Sequence, residues 1–225
     1  IDRFVLPEVQ FNQTELPQAI EFLREETYKL DPGKKGVNII YKPDRSSPDS
    51  TSHPPRLTLY LKNTPLPDVI EQIAELTGTK IHYNSNTILL YHESDSKFLQ
   101  ASMNKMPRGA VAEKLKTWHI PHLSFNNVSI LDAINFISVH TMRLDPSNQG
   151  ISFVFEDERP ANETVSIDMR LYDVPILDCL RYSAWLADYE FLVTDDAVNL
   201  RPAPKKRLSL LRNHNRRNLS TLKLP

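Results

Sequence analysis

Leu16, Ala19, Ile20, Leu23, Thr27 and Leu30 stand at the spacing of one helix face, with polar residues between them. The face returns as Ile130, Ala133, Ile134, Ile137, Thr141 and Leu144. A short strand precedes each helix, Val9 to Phe11 and Leu123 to Phe125. Asp31–Pro32 and Asp145–Pro146 stop them, because proline cannot continue a helix. Gly36 and Gly150 are expected to supply positive-φ turns into apolar strands at Val37–Tyr41 and Ile151–Phe155. Further on, Leu57, Leu59 and Leu61 alternate with Thr58 and Tyr60, the period of a half-buried strand. Val165, Ile167, Met169 and Leu171 repeat it. Second helices are predicted from about Pro67 to Thr77 and from Leu177 to Ala187. Two hairpins close the pattern: Lys80–Tyr83 with Ile88–Tyr91, and Tyr189–Val193 with Val198–Arg201.

The pattern is thus written twice. Between residues 7–36 and 121–150, shifted by 114, 11 of 30 positions are identical; about two would match by chance in ordinary composition. Leu61, Pro65, Asp68, Ala74, Leu76 and Leu90 recur at a shift of 110, as Leu171, Pro175, Asp178, Ala184, Leu186 and Leu200. The four missing residues fall between Lys42 and Arg56, in a segment rich in proline and serine that reads as a surface loop. The fold class this predicts is α+β: two tandem repeats of β-α-β-β-α-β-β, each with two helices packed on small sheets. The expected organisation is a first module over 1–92, a linker over 93–117, a second module over 118–202 and a basic, flexible tail over 203–225. Only the last part of the linker, Ala110 to Trp118, reads as helical.

Composition narrows the class. The 225 residues allow two modules, each with a modest core, and 40% hydrophobic with 24% charged residues is globular. No apolar run approaches the roughly 18 residues that span a bilayer. Ile1 falls inside the repeat pattern, as expected of a processed or trimmed chain whose signal peptide is not part of it. Net charge is −1, but Lys205, Lys206, Arg207, Arg212, Arg216, Arg217 and Lys223 lie in a tail without acids. The body therefore holds 20 basic against 28 acidic residues, a formal −8. Such a tail is usually a solvated terminus; its functional reading is docking on an anionic surface.

Two phrases carry a family likeness. In the first copy Phe11, Leu16, Ala19, Ile20 and Leu23 lead into Gly36–Ile39. Leu59, Leu61, Asn63, Pro65, Leu66, Val69 and Ile70 follow before the hairpin. This resembles the short N-terminal domains of secretins and TonB-dependent receptors, across nearly all of copy one and, with Asp173 for Asn63, most of copy two. The resemblance implies a periplasmic or cell-envelope module that docks other proteins and carries no chemistry.

Candidate chemistry is sparse. His119 and His122 offer two imidazoles, but copy one has Val5 and Glu8 there and no further ligand is adjacent, so no metal is expected. His92, Glu93, Ser94 and Asp95 hold the letters of a triad but sit together at a strand exit, where a solvated loop is the simpler reading. Cys179, the only cysteine, aligns with Val69 and reads as a small buried hydrophobe; no disulfide can form within the chain. Five glycines and no Gly-rich phosphate loop exclude nucleotide-cradling motifs. A KH-type RNA module would need a G-x-x-G clamp; Gly33–Gly36 has that spacing, but it is expected to lead from a helix stop into a strand, and Ser147 stands for Gly33 in the second copy. No enzyme, cofactor or nucleic-acid partner is expected.

The function expected is protein–protein docking in the envelope, linked to secretion or TonB-type machinery, with other envelope proteins or a second copy as partners. Strand edges would supply the contacts. Ile88, Leu89, Leu90 and Tyr91, with Val198, Asn199 and Leu200, end the two units and are the first edge candidates; Ile151 to Phe155 is a further one. The alternative is a glycan- or peptide-binding protein that uses a cleft between modules, where Tyr60, Tyr83, Tyr91, Trp118 and Trp185 would stack on the ligand.

Overall fold

The strand expected at Val9–Phe11 extends well past its apolar centre: β1 runs over Val5–Glu15. It is followed by α1 (Leu16–Leu30), β2 (Asn38–Tyr41), β3 (Arg56–Pro65), α2 (Leu66–Thr77), β4 (Lys80–Asn84) and β5 (Thr87–Tyr91). A short 3-10 turn leads to α3 (Ser96–Met103) and α4 (Ala110–Thr117). The pattern then returns as β6 (His119–Ser129), α5 (Ile130–Leu144), β7 (Ser152–Phe155), β8 (Ser166–Pro175), α6 (Ile176–Leu186), β9 (Tyr189–Val193) and β10 (Ala197–Pro202). This computed structural model describes residues 1–45, 53–84, 87–104, 106–156 and 165–203. The basic tail and the centre of the proline-rich loop lie outside them. Among the described residues the fold is α+β, with six α-helices and ten strands in four small sheets, in two similar halves.

Each half uses the same topology. A two-stranded antiparallel ribbon, β1 with β3, carries the long strands, and β6 with β8 repeats it. In β1 the pairing shifts between Phe11 and Thr14, where Gln13 adopts φ 51; Asn127 stands in β6 at φ 54. The two positive-φ residues are held alike: Gln13 N–H donates to Thr58 Oγ1 at 3.1 Å, and Asn127 N–H to Asp168 Oδ1 at 2.8 Å. The second sheet has the order β2-β5-β4, with β2 parallel and β4 antiparallel to β5. Its counterpart is β7-β10-β9.

The helices obey the expected faces. α1 buries Leu16, Ala19, Ile20, Leu23 and Thr27, and α5 buries Ile130, Ala133, Ile134, Ile137 and Thr141. Burying each leucine or isoleucine contributes roughly 2 kcal/mol. Leu30 and Leu144, the last positions of each face, remain exposed. The linker is more ordered than its sequence suggested. α3 buries Leu99, and the preceding Asp95 pairs at 2.8 Å with Lys42, a lysine only 1% exposed.

The chain divides into two compact units. The first holds Ile1–Ala101 with Ile120–Ser124 and Met169–Val174; the second holds Ser102–His119, Phe125–Asp168 and Pro175–Pro225. The first unit centres on Phe4, Leu6, Val9, Leu23, Ile39 and Ile70. In the second, α6 is buried along nearly its whole length, Trp185 and Tyr182 included.

Candidate docking site

The two three-stranded sheets correct the first choice of edges. β5 lies between β2 and β4, and β10 between β7 and β9, so Ile88, Leu89, Leu90, Tyr91, Val198, Asn199 and Leu200 belong to central strands. Their ladders are paired on both sides, and Ile88, Leu89, Leu90, Val198 and Leu200 are fully buried. A strand that is last in sequence became central because a parallel strand, made earlier in the chain, pairs on its far side. The edges are β2 and β4, and β7 and β9.

The parallel edges differ sharply between the units. In β2, Asn38, Ile39 and Ile40 are buried. Lys42 N–H donates to Leu90 O at 2.9 Å, so alternate residues Asn38 and Ile40 turn their backbone towards β5 while Ile39 and Tyr41 face outwards. Arg24 of α1 closes that edge: its Nε donates to Ile39 O at 2.9 Å. Burial pushes the Arg24 pKa down, against the opposing effect of Glu21 at 3.1 Å.

Residues of β8 that belong to the first unit cover the same face. Asn38 uses its side chain as a second peptide group: Nδ2 donates to Tyr172 O at 3.2 Å and Tyr172 N–H donates to Oδ1 at 2.8 Å. Arg170 pairs with Glu21, Lys35 pairs with Asp173, and the Tyr28 and Tyr172 rings lie 5.9 Å apart. A buried polar residue in an otherwise apolar strand was the sequence signal for Asn38.

Among the described residues, the second unit presents the same surface uncovered. Glu156 N–H donates to Leu200 O at 2.9 Å, the counterpart of Lys42, so Phe153 and Phe155 turn N–H and C=O outwards. Ser152 and Val154 are exposed, Val154 by 44%. Ser138 stands where Arg24 does and does not reach across as the guanidinium would. Beside this edge α5 exposes Leu131, Val139 and Met142, each by close to half; α1 has Pro17, Glu25 and Tyr28 there. Met142 lies against Gly150 at the entry to β7: a Cβ on that glycine would come within 2.9 Å of the Met142 side chain. Of the sequence-based edge candidates, Ile151 to Phe155 is the one the structure places at an edge. The apolar outer face of α5 was legible by comparing the two copies position by position.

The remaining candidates have structural partners. His92 contacts Tyr41 at 3.4 Å, Glu93 pairs with Lys80 at 3.3 Å and Asp95 with Lys42, so the triad letters point to three different places. His122 stacks on Tyr172 at 4.7 Å. Among the described residues no three His, Cys, Asp or Glu side chains gather as a metal site. Burial pushes the Cys179 thiol pKa up. Tyr91 and Trp185 are core residues, Trp118 is half-buried under Lys114, and Tyr60 and Tyr83 are exposed. Lys205, Lys206, Arg207, Arg212, Arg216 and Arg217 lie outside the described residues. No described helix is long and apolar enough to cross a membrane.

No family model matches the chain, and no curated protein does. Several solved structures are similar to it, two of them a pilus secretin and a secretion injectisome. One is the type IV competence pilus secretin PilQ of V. cholerae, 12% identical, covering 96% of this chain and 38% of that one, with a TM-score of 0.28. The other is from the Salmonella SPI-1 type III secretion injectisome basal body of InvG, PrgH and PrgK, 12% identical, covering 90% of this chain and 38% of that one, with a TM-score of 0.26. This chain therefore spans well under half the length of either. At these values neither structure identifies a family or an activity for it.

Proposed function

We propose that this protein is a non-enzymatic docking module of the bacterial envelope that takes a protein partner on the β7 edge and the adjoining face of α5. The observation that carries the reading is the contrast between the units. Arg24, Asn38 and residues of β8 close the β2 edge, whereas Phe153 and Phe155 leave backbone donors and acceptors facing outwards beside exposed Val154, Val139 and Met142. An unpaired strand edge is a template for an incoming strand, and an apolar rim adds area that gains from losing water. The envelope setting rests on the sequence resemblance, and the reading assigns the chain no catalysis.

The test is a crosslinking pull-down from native envelope with the wild-type chain and with Val154→Lys, a charge placed on the exposed side of β7. The variant is expected to lose the partner that the wild type captures while keeping its thermal midpoint. Capture of the same partners by both would contradict the reading.

A further inference from the structure

The filled face in the first unit specifies what would fill the open one. Its contacts come from three positions of β8, Arg170, Tyr172 and Asp173, acting on Glu21, Tyr28, Lys35 and Asn38. By the repeat, the open face replaces Glu21, Tyr28, Lys35 and Asn38 with Asn135, Met142, Gln149 and Ser152. The shift of 110 gives the matching filler in β3 as Tyr60, Lys62 and Asn63. All three are exposed, Tyr60 by 55%. Asn63 shares the left-handed conformation of Asp173, φ 48 against 50, so the two ribbons turn alike at this point.

The substitutions on the two sides agree. Glu21 with Arg170, an ion pair, becomes Asn135 with Tyr60, both neutral. Lys35 with Asp173, also an ion pair, becomes Gln149 with Asn63, two neutral amides. Charge has left both halves of each ion pair together, so neither of these two exchanges strands an unpartnered charge, the usual obstacle to a wrong partner. Tyr28 with Tyr172 becomes Met142 with Lys62, whose aliphatic stem can lie along the thioether.

We infer that the α5/β7 face of one chain takes the Tyr60–Asn63 segment of β3 from a second copy of this chain, head to tail. This rests on the docking face proposed above and names its occupant. Such an interface is heterologous: each chain uses one surface to give and another to receive. It therefore extends beyond two chains, into a ring if the rotation closes and a filament if it does not. Asn135 and Ser152 would hydrogen-bond the incoming ribbon as Asn38 does in the first unit, and Tyr60 would cover the α5 stripe.

Sedimentation velocity of the full chain from about 1 μM to about 1 mM, a range covering weak to moderate affinity, tests this with two variants. Met142→Asp spoils the receiving face and Tyr60→Asp the giving one; circular dichroism confirms that each folds. The wild type is expected to grow past two chains as concentration rises, and each variant alone to sediment as one chain. An equimolar mixture of the two variants keeps one good pair of surfaces and is expected to give two-chain species and nothing larger. A wild type that stays monomeric throughout, variants that still associate, or a mixture that stays monomeric would each overturn the inference. If the wild type is monomeric while Met142→Asp still loses its partner in envelope pull-downs, self-docking is wrong and the docking face stands.

Discussion

Asp31 Oδ2 accepts the backbone N–H of Gly36 at 3.0 Å, across the loop that joins α1 to β2. The same carboxylate takes Lys35 N–H at 3.0 Å and Gly33 N–H at 3.2 Å, while Arg3 reaches it at 2.9 Å. Asp145 does the same for Gly150 at 3.1 Å and Ser147 at 3.1 Å, so the clasp is part of what the repeat preserves. Burial alone would raise the Asp31 pKa; the three backbone donors and Arg3 outweigh it and hold the carboxyl below its usual value. A carboxyl with a lower pKa folded than unfolded stabilises fully above the unfolded value and loses that contribution as pH falls through the folded one. Asp31→Asn is expected to be less stable than wild type at neutral pH, with the gap narrowing below about pH 4, the ordinary aspartate range. Urea midpoints measured from pH 3 to 7 check this.

Gly36 and Gly78 both sit at positive φ, +61 and +67, in different surroundings. A Cβ on Gly36 would lie 2.9 Å from Tyr28 N and 3.2 Å from Thr27 Oγ1, whereas one on Gly78 meets nothing within 4 Å. Gly78→Ala should therefore lose about 1 kcal/mol from backbone strain alone. Gly36→Ala should lose clearly more, because it also displaces the Thr27 hydroxyl that accepts Val37 N–H at 3.2 Å. Paired denaturant titrations of the two variants separate the effects.

Asp95 pairs with nearly buried Lys42 and so ties the start of α3 to the end of β2. Asp95→Ala removes one charged hydrogen bond of the lysine, at an expected cost of about 2 kcal/mol. The double variant with Lys42→Met should recover much of the loss, as an apolar side chain refills the site. A double-mutant cycle on urea midpoints measures the coupling.

Cys179 lies fully buried in α6, and burial holds its thiol protonated. It is expected to resist maleimide in the native protein and to react at once in denaturant. Reaction at equal rates in both states would place that side chain at the surface.

Much of the fold could be read from the chain because it is local. Helix faces follow from spacing, and the stops from Asp–Pro and glycine. The order of strands within a sheet is not local. Ile88–Tyr91 looked like an edge because it ends its unit, yet its unbroken apolar run is what a strand buried on both faces requires, and β2 pairs on its far side. Asp31 was read as a helix stop; its clasp on three later N–H groups depends on the path of the loop. Arg24 was missed altogether, because a charged residue on an outer helix face reads as solvated until a strand edge is placed beneath it. The outer face of α5 needed only comparison with α1: Val139 and Met142 stand where Glu25 and Tyr28 do.

The most direct test is site-specific photo-crosslinking in the native envelope, with the photoreactive residue at position 142 on α5 and, as control, at exposed position 75 on α2. The account expects one discrete protein adduct from position 142, lost when Val154→Lys is added, and none from position 75. The same adducts from both positions, or an adduct at 142 that Val154→Lys leaves intact, would contradict docking at the α5/β7 face.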